Sequence, residues 1–160
     1  MIRTAAIEDL PSLRRIYTAA RAFMAQTGNP TQWGASFPPE ELLREDIRQG
    51  RLWVVEKGGA VRGAFAFLVG EDPTYQVIEN GAWRLDAPYG ALHRVASDGT
   101  AHGLFGEMVD FCWARIPHLR IDTHRDNRVM RHLVEKHGFS LCGTIYTDDG
   151  TPRLAFERLE

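Results

Sequence analysis

The chain is poor in cysteine: Cys112 and Cys142 are its only two among 160 residues. Neither has a partner at the spacings used by disulfide frameworks or zinc sites, which points to a reduced, cytoplasmic compartment. No apolar run approaches the ~20 residues needed to cross a bilayer, and Met1-Ile2-Arg3-Thr4 opens like ordinary fold rather than a leader, so no membrane partner is expected. Charge of one sign is also missing. Nineteen basic and twenty-one acidic side chains leave a formal charge of -2, which gives no field for a nucleic-acid partner. The GxGxxG and GxxxxGK[ST] phosphate loops are absent too, so nothing demands a dinucleotide or a nucleoside triphosphate. There is no internal repeat and no low-complexity linker.

What is present is a 44% hydrophobic, 25% charged chain, long enough to bury a sizeable core as one domain over 1–160. Apolar residues at Leu10, Leu13, Ile16, Tyr17, Ala20, Phe23 and Met24 keep helical spacing. The next segment, 26–37, is rich in turn formers, and its Trp33 and Phe37 could line a site or simply pack. Leu42, Leu43 and Ile47 mark a second helix that stops at Gly50. Segments 52–56 and 61–69 form a hairpin across Gly58-Gly59. Residues 71–90 keep no period and read as a functional excursion or lid carrying Tyr75, Trp83 and Tyr89. Thereafter come a strand at 91–96, a helix bearing Leu104, Phe105, Met108, Phe111 and Cys112, and a strand at 119–123. A helix capped by Asp126 or Asn127 comes next, and strands 141–146 and 153–159 complete a mixed α+β fold.

The most informative stretch is SDGTAHGLFG, residues 97–106, between a strand and an amphipathic helix. The first turn of a helix has amide donors without intrahelical partners and carries the positive end of the helix dipole, so it attracts anions. Gly99 and Gly103 let a phosphate reach the backbone, and Ala101 is nearly as small. The plain alternative is a tight connection and nothing more.

Taken with the whole C-terminal half of the chain, the stretch resembles the GNAT superfamily of acyl-CoA-dependent N-acetyltransferases. LHRVASDGTAHGLFGEMVDFC is similar to that family's pyrophosphate-binding motif. LRIDTHRDNRVMRHLVEKHGFSLCGTIY is similar to its next strand, helix and "GF" segment, and IRTAAIEDLPSLRRIY to its opening strand and helix. Only 71–90 lies outside the resemblance. It implies a mainly antiparallel sheet with splayed central strands and about four helices. The pantetheine arm of CoA would lie between strands 91–96 and 119–123, on main-chain groups of Val95, Ala96 and Ser97, with Asn127 near the same arm. The pyrophosphate would sit on the amides of Thr100, Ala101, His102, Gly103 and Leu104. The implied reaction moves an acetyl group from acetyl-CoA to a primary amine of a small molecule or peptide, and a homodimer is compatible with it.

Three positions depart from the family pattern. Thr100 and Phe105 stand where a Gln or Arg and a small residue are usual, and Val134 stands where many relatives have the tyrosine that protonates the leaving thiolate. A non-catalytic acyl-CoA binder or sensor is therefore the rival reading, and a longer or acidic acyl donor is another. For the base, His93 beside the thioester has suitable chemistry. Strand alternation puts it on the face of Ala91 and Val95, where it could equally be a core histidine. Glu79 and Tyr146 are further candidates. A main-chain N–H near Val95 or Ala96 would polarise the carbonyl. Cys112 sits mid-helix and is read as inert, and Ser97-Asp98 has no histidine nearby to make a triad. His118, His124, His132 and His137 with Asp122 and Asp126 lack metal-ligand spacing, His132 and His137 being five apart, so no metal is expected. Arg120, Arg125, Arg128 and Arg131 form a basic run that faces solvent or meets the CoA phosphates. Tyr75, Trp83 and Tyr89 are read as an acceptor-pocket wall or as lid packing.

Overall fold

The computed structural model describes residues 1–160. In chain order the elements are β1 (Ile2–Thr4), α1 (Leu10–Gln26), α2 (Glu40–Arg48), β2 (Leu52–Lys57), β3 (Ala60–Val69), β4 (Gly90–Ser97), α3 (Leu104–Trp113), β5 (Leu119–Thr123), α4 (Arg128–Lys136), β6 (Ser140–Tyr146) and β7 (Pro152–Arg158). The strands make one sheet in the order β1-β2-β3-β4-β5-β7-β6. Every pairing is antiparallel except β4 with β5.

Alternation along β3 explains how the sheet is covered. Ala64 and Ala66 face α1 and α2, packing with Leu13, Ile16, Tyr17 and Leu43, while Phe65 and Phe67 face α3 and α4, packing with Leu104, Met108, Val109 and Val134. Burying each large side chain of this kind contributes about 1.5–3 kcal/mol, so the two helical layers hold the sheet from both sides. α4 ends as its sequence requires: the Phe139 amide donates to the Val134 carbonyl, and the Phe139 ring turns back into the core. On the α1 side the helices stop short of β5–β7, and a third cluster of Tyr75, Tyr89, Ala91, Ile145 and Ala155 covers that half.

This third cluster corrects the reading of 71–90 as a lid, because the segment is a strap. The Asp72 amide donates to the Tyr89 hydroxyl, Trp83 Nε1 to the Tyr75 carbonyl, and the Arg84 amide to Glu157 Oε1, all at 2.8 Å. Glu79 makes an isolated antiparallel bridge with Thr144 of β6, with both amide-to-carbonyl bonds at 2.8 Å. Gly81 passes so close to β6 that a Cβ there would stand 1.9 Å from the Cys142 carbonyl oxygen. Beneath the strap, Glu157 is fully buried and takes His118 Nε2 at 2.7 Å and Arg120 Nε at 3.0 Å. Burial raises the Glu157 carboxyl, yet the bonds from His118, Arg84 and Arg120 outweigh it and hold the group below its ordinary value. Arg120 therefore belongs neither to a solvated face nor to a phosphate site: its guanidinium lies between the Trp83 and Tyr89 rings, 4.1 and 4.0 Å from their centroids.

Candidate functional site

Two features of β4 shape the site. The first is where pairing with β5 ends. Gly90, Ala91 and Leu92 stand beside Leu119, Arg120 and Ile121, and beyond Leu92 the two strands diverge, leaving the facing edge of β4 without a strand partner. The second is a bulge. Ala64 pairs with Ala96 and Ala66 with His93, so Arg94 and Val95 together oppose Phe65. Arg94 carries the strain, with φ of 51°. It is fixed from two sides: Tyr17 Oη donates to the Arg94 carbonyl at 2.7 Å, and the guanidinium meets fully buried Asp46 of α2 at 2.8 and 3.0 Å. The bulge corrects the expected alternation. His93 and Ala96 share the α1 face, whereas Val95 packs on the α3 side with Leu92.

At the open end, β4 runs into the turn at 98–103. Asp98 is folded inward, accepting the Thr100 amide and hydroxyl at 2.9 and 2.5 Å and the Arg15 guanidinium at 2.7 Å. Burial raises its carboxyl, but these bonds prevail and hold it at about 2. The Ser97 hydroxyl accepts the Gly99 amide. Gly103 caps α3 with φ of 76°, a left-handed conformation that glycine adopts without strain, and no side chain caps the helix. The amides of residues 101–106 consequently have no acceptor in the chain. The Thr100 amide is already occupied, so the run of free donors begins one residue later than the sequence suggested and extends past Leu104. The Phe105 ring is buried in the core beside His137 and leaves these donors open.

Between the diverging strands lies a cleft of about 700 Å³. Leu92, Val95, Ile121, Asn127 and Met130 line it from the α3 side, and Trp33, Phe37, Asp72, His93, Asp122 and Arg153 from the α1 side. His93 Nε2 lies 2.7 Å from Asp72 Oδ2, and Nδ1 lies 3.8 Å from Asp122 Oδ1. Burial raises Asp72, but the contacts with His93 and Thr74 outweigh it and hold the carboxyl at about 2. Asp122 Oδ1 also accepts the Tyr75 hydroxyl at 2.6 Å, and burial, then Asp122, push Tyr75 well above its ordinary value, so it stays a donor.

Other residues singled out in the sequence lie elsewhere or serve the fold. Tyr75 and Tyr89 are buried on the inner side of the strap, and with Trp83 they border a separate depression beside Arg120, although Tyr75 also reaches the cleft wall, its hydroxyl on Asp122 and its ring 5.7 Å from that of His93. Glu79 and Tyr146 bond to each other at 3.2 Å on the exposed β6 edge, and neither reaches His93. Asn127 caps α4 through Met130 and donates to Gln32 Oε1 at 3.1 Å. Asp72 and Arg153 carried no local signal in the sequence, since each becomes part of the cleft only when strap and sheet come together. No cluster of His, Cys, Asp and Glu is placed to hold a metal ion.

Over its whole length the chain is similar to a solved acetyltransferase of the GNAT family from Streptococcus agalactiae, at 28% identity and a TM-score of 0.90, covering 100% of this chain and 95% of that one. The chain has the GNAT fold. A GNAT-family acetyltransferase from Listeria monocytogenes matches at 17% identity and TM-score 0.69, covering 99% and 93%. The NatB acetyltransferase complex bound to CoA and MES matches at 13% and 0.61, covering 99% and 97%. At those two identities the likeness is one of fold. No family model matches the chain, and no curated protein sequence does. The Streptococcus agalactiae neighbour is named an acetyltransferase of the GNAT family, which supports acetyl transfer as the general chemistry. Within the GNAT fold, Val134 is fully buried against α3, so an aliphatic side chain stands where the resemblance would put the acid. No helix is long and apolar enough to cross a membrane.

Proposed function

We propose that this GNAT-fold chain transfers an acetyl group from acetyl-CoA to a primary amine by direct attack, both substrates being bound together. The observation that carries the reading is the Asp72–His93 pair at the first unpaired rung between β4 and β5, at 2.7 Å, inside a cleft open to both faces of the sheet.

The residues present fit the donor. Amides 101–106 offer hydrogen-bond donors and dipole charge to a pyrophosphate, and the unpaired edge of β4 offers main-chain groups to the pantetheine. On the α1 side, Asp72 holds Nε2–H of His93 and leaves the Nδ1 lone pair free toward Asp122, as a carboxylate does for a catalytic imidazole. An ammonium drawn in by Asp122 gives its proton to Nδ1. The freed amine attacks the thioester carbonyl, the N–C bond forms, and a main-chain N–H at the Arg94 bulge stabilises the developing oxyanion. The attached nitrogen sheds its second proton to water, the C–S bond breaks, and the thiolate takes a proton back from solvent, because Val134 has none to give. His93 returns its proton to solvent.

The test is to incubate the protein with acetyl-CoA and a panel of primary amines, measuring thiol release together with acetylated product. His93→Ala is expected to lower kcat about a hundredfold or more, and Asp72→Asn about tenfold or more, with little change in the KM for acetyl-CoA. Unchanged turnover in both variants would remove them from the mechanism. The buried Val134 favours one rival, a non-catalytic acyl-CoA binder, and saturable acetyl-CoA binding with no acetyl product from any amine would establish that reading instead.

A further inference from the structure

Three arginines stand in the cleft wall, and two of them, Arg51 and Arg94, are held by Asp46 at 2.6 and 2.8 Å. Arg153 has no carboxylate partner. Its one hydrogen bond runs from Nη2 to the Gln32 carbonyl at 3.2 Å, while Nη1 is enclosed and donates to nothing. Burial lowers its pKa, and Asp122 and Asp149 oppose that shift without closing on the guanidinium. A guanidinium left this way carries unused donors in a planar fork, the geometry that matches two carboxylate oxygens.

Its place in the sheet says what would bring such a group. Asp122 of β5 pairs with Ala155 of β7, and Arg153, two residues along, shares that face. His93, Asp122 and Arg153 therefore form a row across β4, β5 and β7, on the face opposite Ile121 and Val134. The row is polar along its length: carboxylates at Asp72 and Asp122, an unpaired cation at Arg153. Strands are about 4.8 Å apart, so long side chains reaching in from the two ends leave a gap of small-molecule size. A diamine would set its second ammonium against Arg153, whereas a zwitterion matches both ends. The cleft of about 700 Å³ must also take the acyl end of the donor, which keeps the acceptor small.

We propose that the acceptor is a small amino acid, bound with its amino group at His93 and Asp122 and its carboxylate on the Arg153 fork. This rests on the acetyltransferase reading of the cleft. The test compares the standard amino acids with their amides and their decarboxylated amines, measuring kcat/KM for thiol release at fixed acetyl-CoA alongside calorimetric binding of acetyl-CoA. The free acid is expected to exceed its amide by about tenfold or more, as for a charge-assisted bidentate contact. Arg153→Gln should erase that preference and Arg153→Lys restore part of it, with acetyl-CoA affinity unchanged. Because the acid-to-amide ratio is internal to each protein, it does not depend on how much of a variant folds. Amides or decarboxylated amines acetylated as well as the acids, or an acid-to-amide ratio that Arg153→Gln leaves intact, would overturn the proposal and leave the acetyltransferase reading standing. Absence of acetyl-CoA binding and of any acetyl product would overturn both.

Discussion

Replacing Asp46 by alanine should destabilise the fold at the β4 bulge. Asp46 is fully buried on α2 and receives Arg94 on both oxygens and Arg51 on one. Removing one partner of a buried ion pair costs about 3–5 kcal/mol, because the other charge is left uncompensated. Arg94, with a side chain 13% exposed, bears most of that penalty, and Arg51, at 31%, recovers some water. The lower end, about 3 kcal/mol, is therefore the expected loss. For 160 residues the unfolding entropy near the midpoint is about 0.34 kcal/mol/K, which turns that loss into a fall in Tm of about 9 °C. Circular dichroism on heating and in urea reads the change. A double-mutant cycle with Arg94→Ala isolates the cause, since Asp46→Ala should cost much less once Arg94 is gone. An equal cost in both backgrounds, or a shift below about 2 °C, would refute the account of how the bulge is held.

Other parts of the molecule give further expected outcomes. Gly103→Glu is expected to abolish acetyl-CoA binding in calorimetry, because it forces a side chain into the left-handed N-cap and sets a negative charge among the amides proposed to hold phosphate; retained binding would mean the pyrophosphate lies elsewhere. Asp98, held at about 2, is lowered on folding, so its stabilisation is complete above the ordinary carboxylate value and disappears as pH falls from about 4 to 2. Urea midpoints of wild type and Asp98→Asn should accordingly differ by a constant amount from pH 5 to 7 and converge below about pH 4. Gly81→Ala puts a methyl group into the Cys142 carbonyl and should cost about 1–3 kcal/mol by prising the strap from β6. Faster hydrogen exchange at Glu79 and Ala82 would show it, and an unchanged exchange pattern would count against the strap's close seating.

The helices and most strands were legible because their signals are local. Leu13, Ile16 and Tyr17 recur at helical spacing, and Gly58-Gly59 separates two strand-like runs. The turn at 98–103 was legible for the same reason: glycines, a small residue and an amphipathic helix stand together in the chain. The bulge was not. Arg94 is no glycine, and its positive φ depends on Tyr17, 77 residues earlier, and on Asp46. That single irregularity decided which face Val95 takes. The strap was misread because its ties are polar and distant, such as the Arg84 amide on Glu157, and such ties leave no period. Tyr75, Trp83 and Tyr89 read equally as an acceptor-pocket wall or as packing, and in the fold they pack with Ala91, Ile145 and Ala155. His93 was visible as a candidate base, but its orienting partner Asp72 lies 21 residues away, and only the folded strap brings the two together.

The bridge between Glu79 and Thr144 bears on self-association. A seven-stranded sheet has two edges, and exposed edges invite other chains to add a strand. Here β1 is only three residues long, and the outer rim of β6 is occupied midway by the strap's own main chain. Neither edge is a ready template for extension, despite an apolar side chain such as Leu141 lying 55% exposed on β6. A second copy of this chain would therefore pair through faces rather than by lengthening the sheet, and loosening the strap would convert a guarded edge into one prone to aggregate.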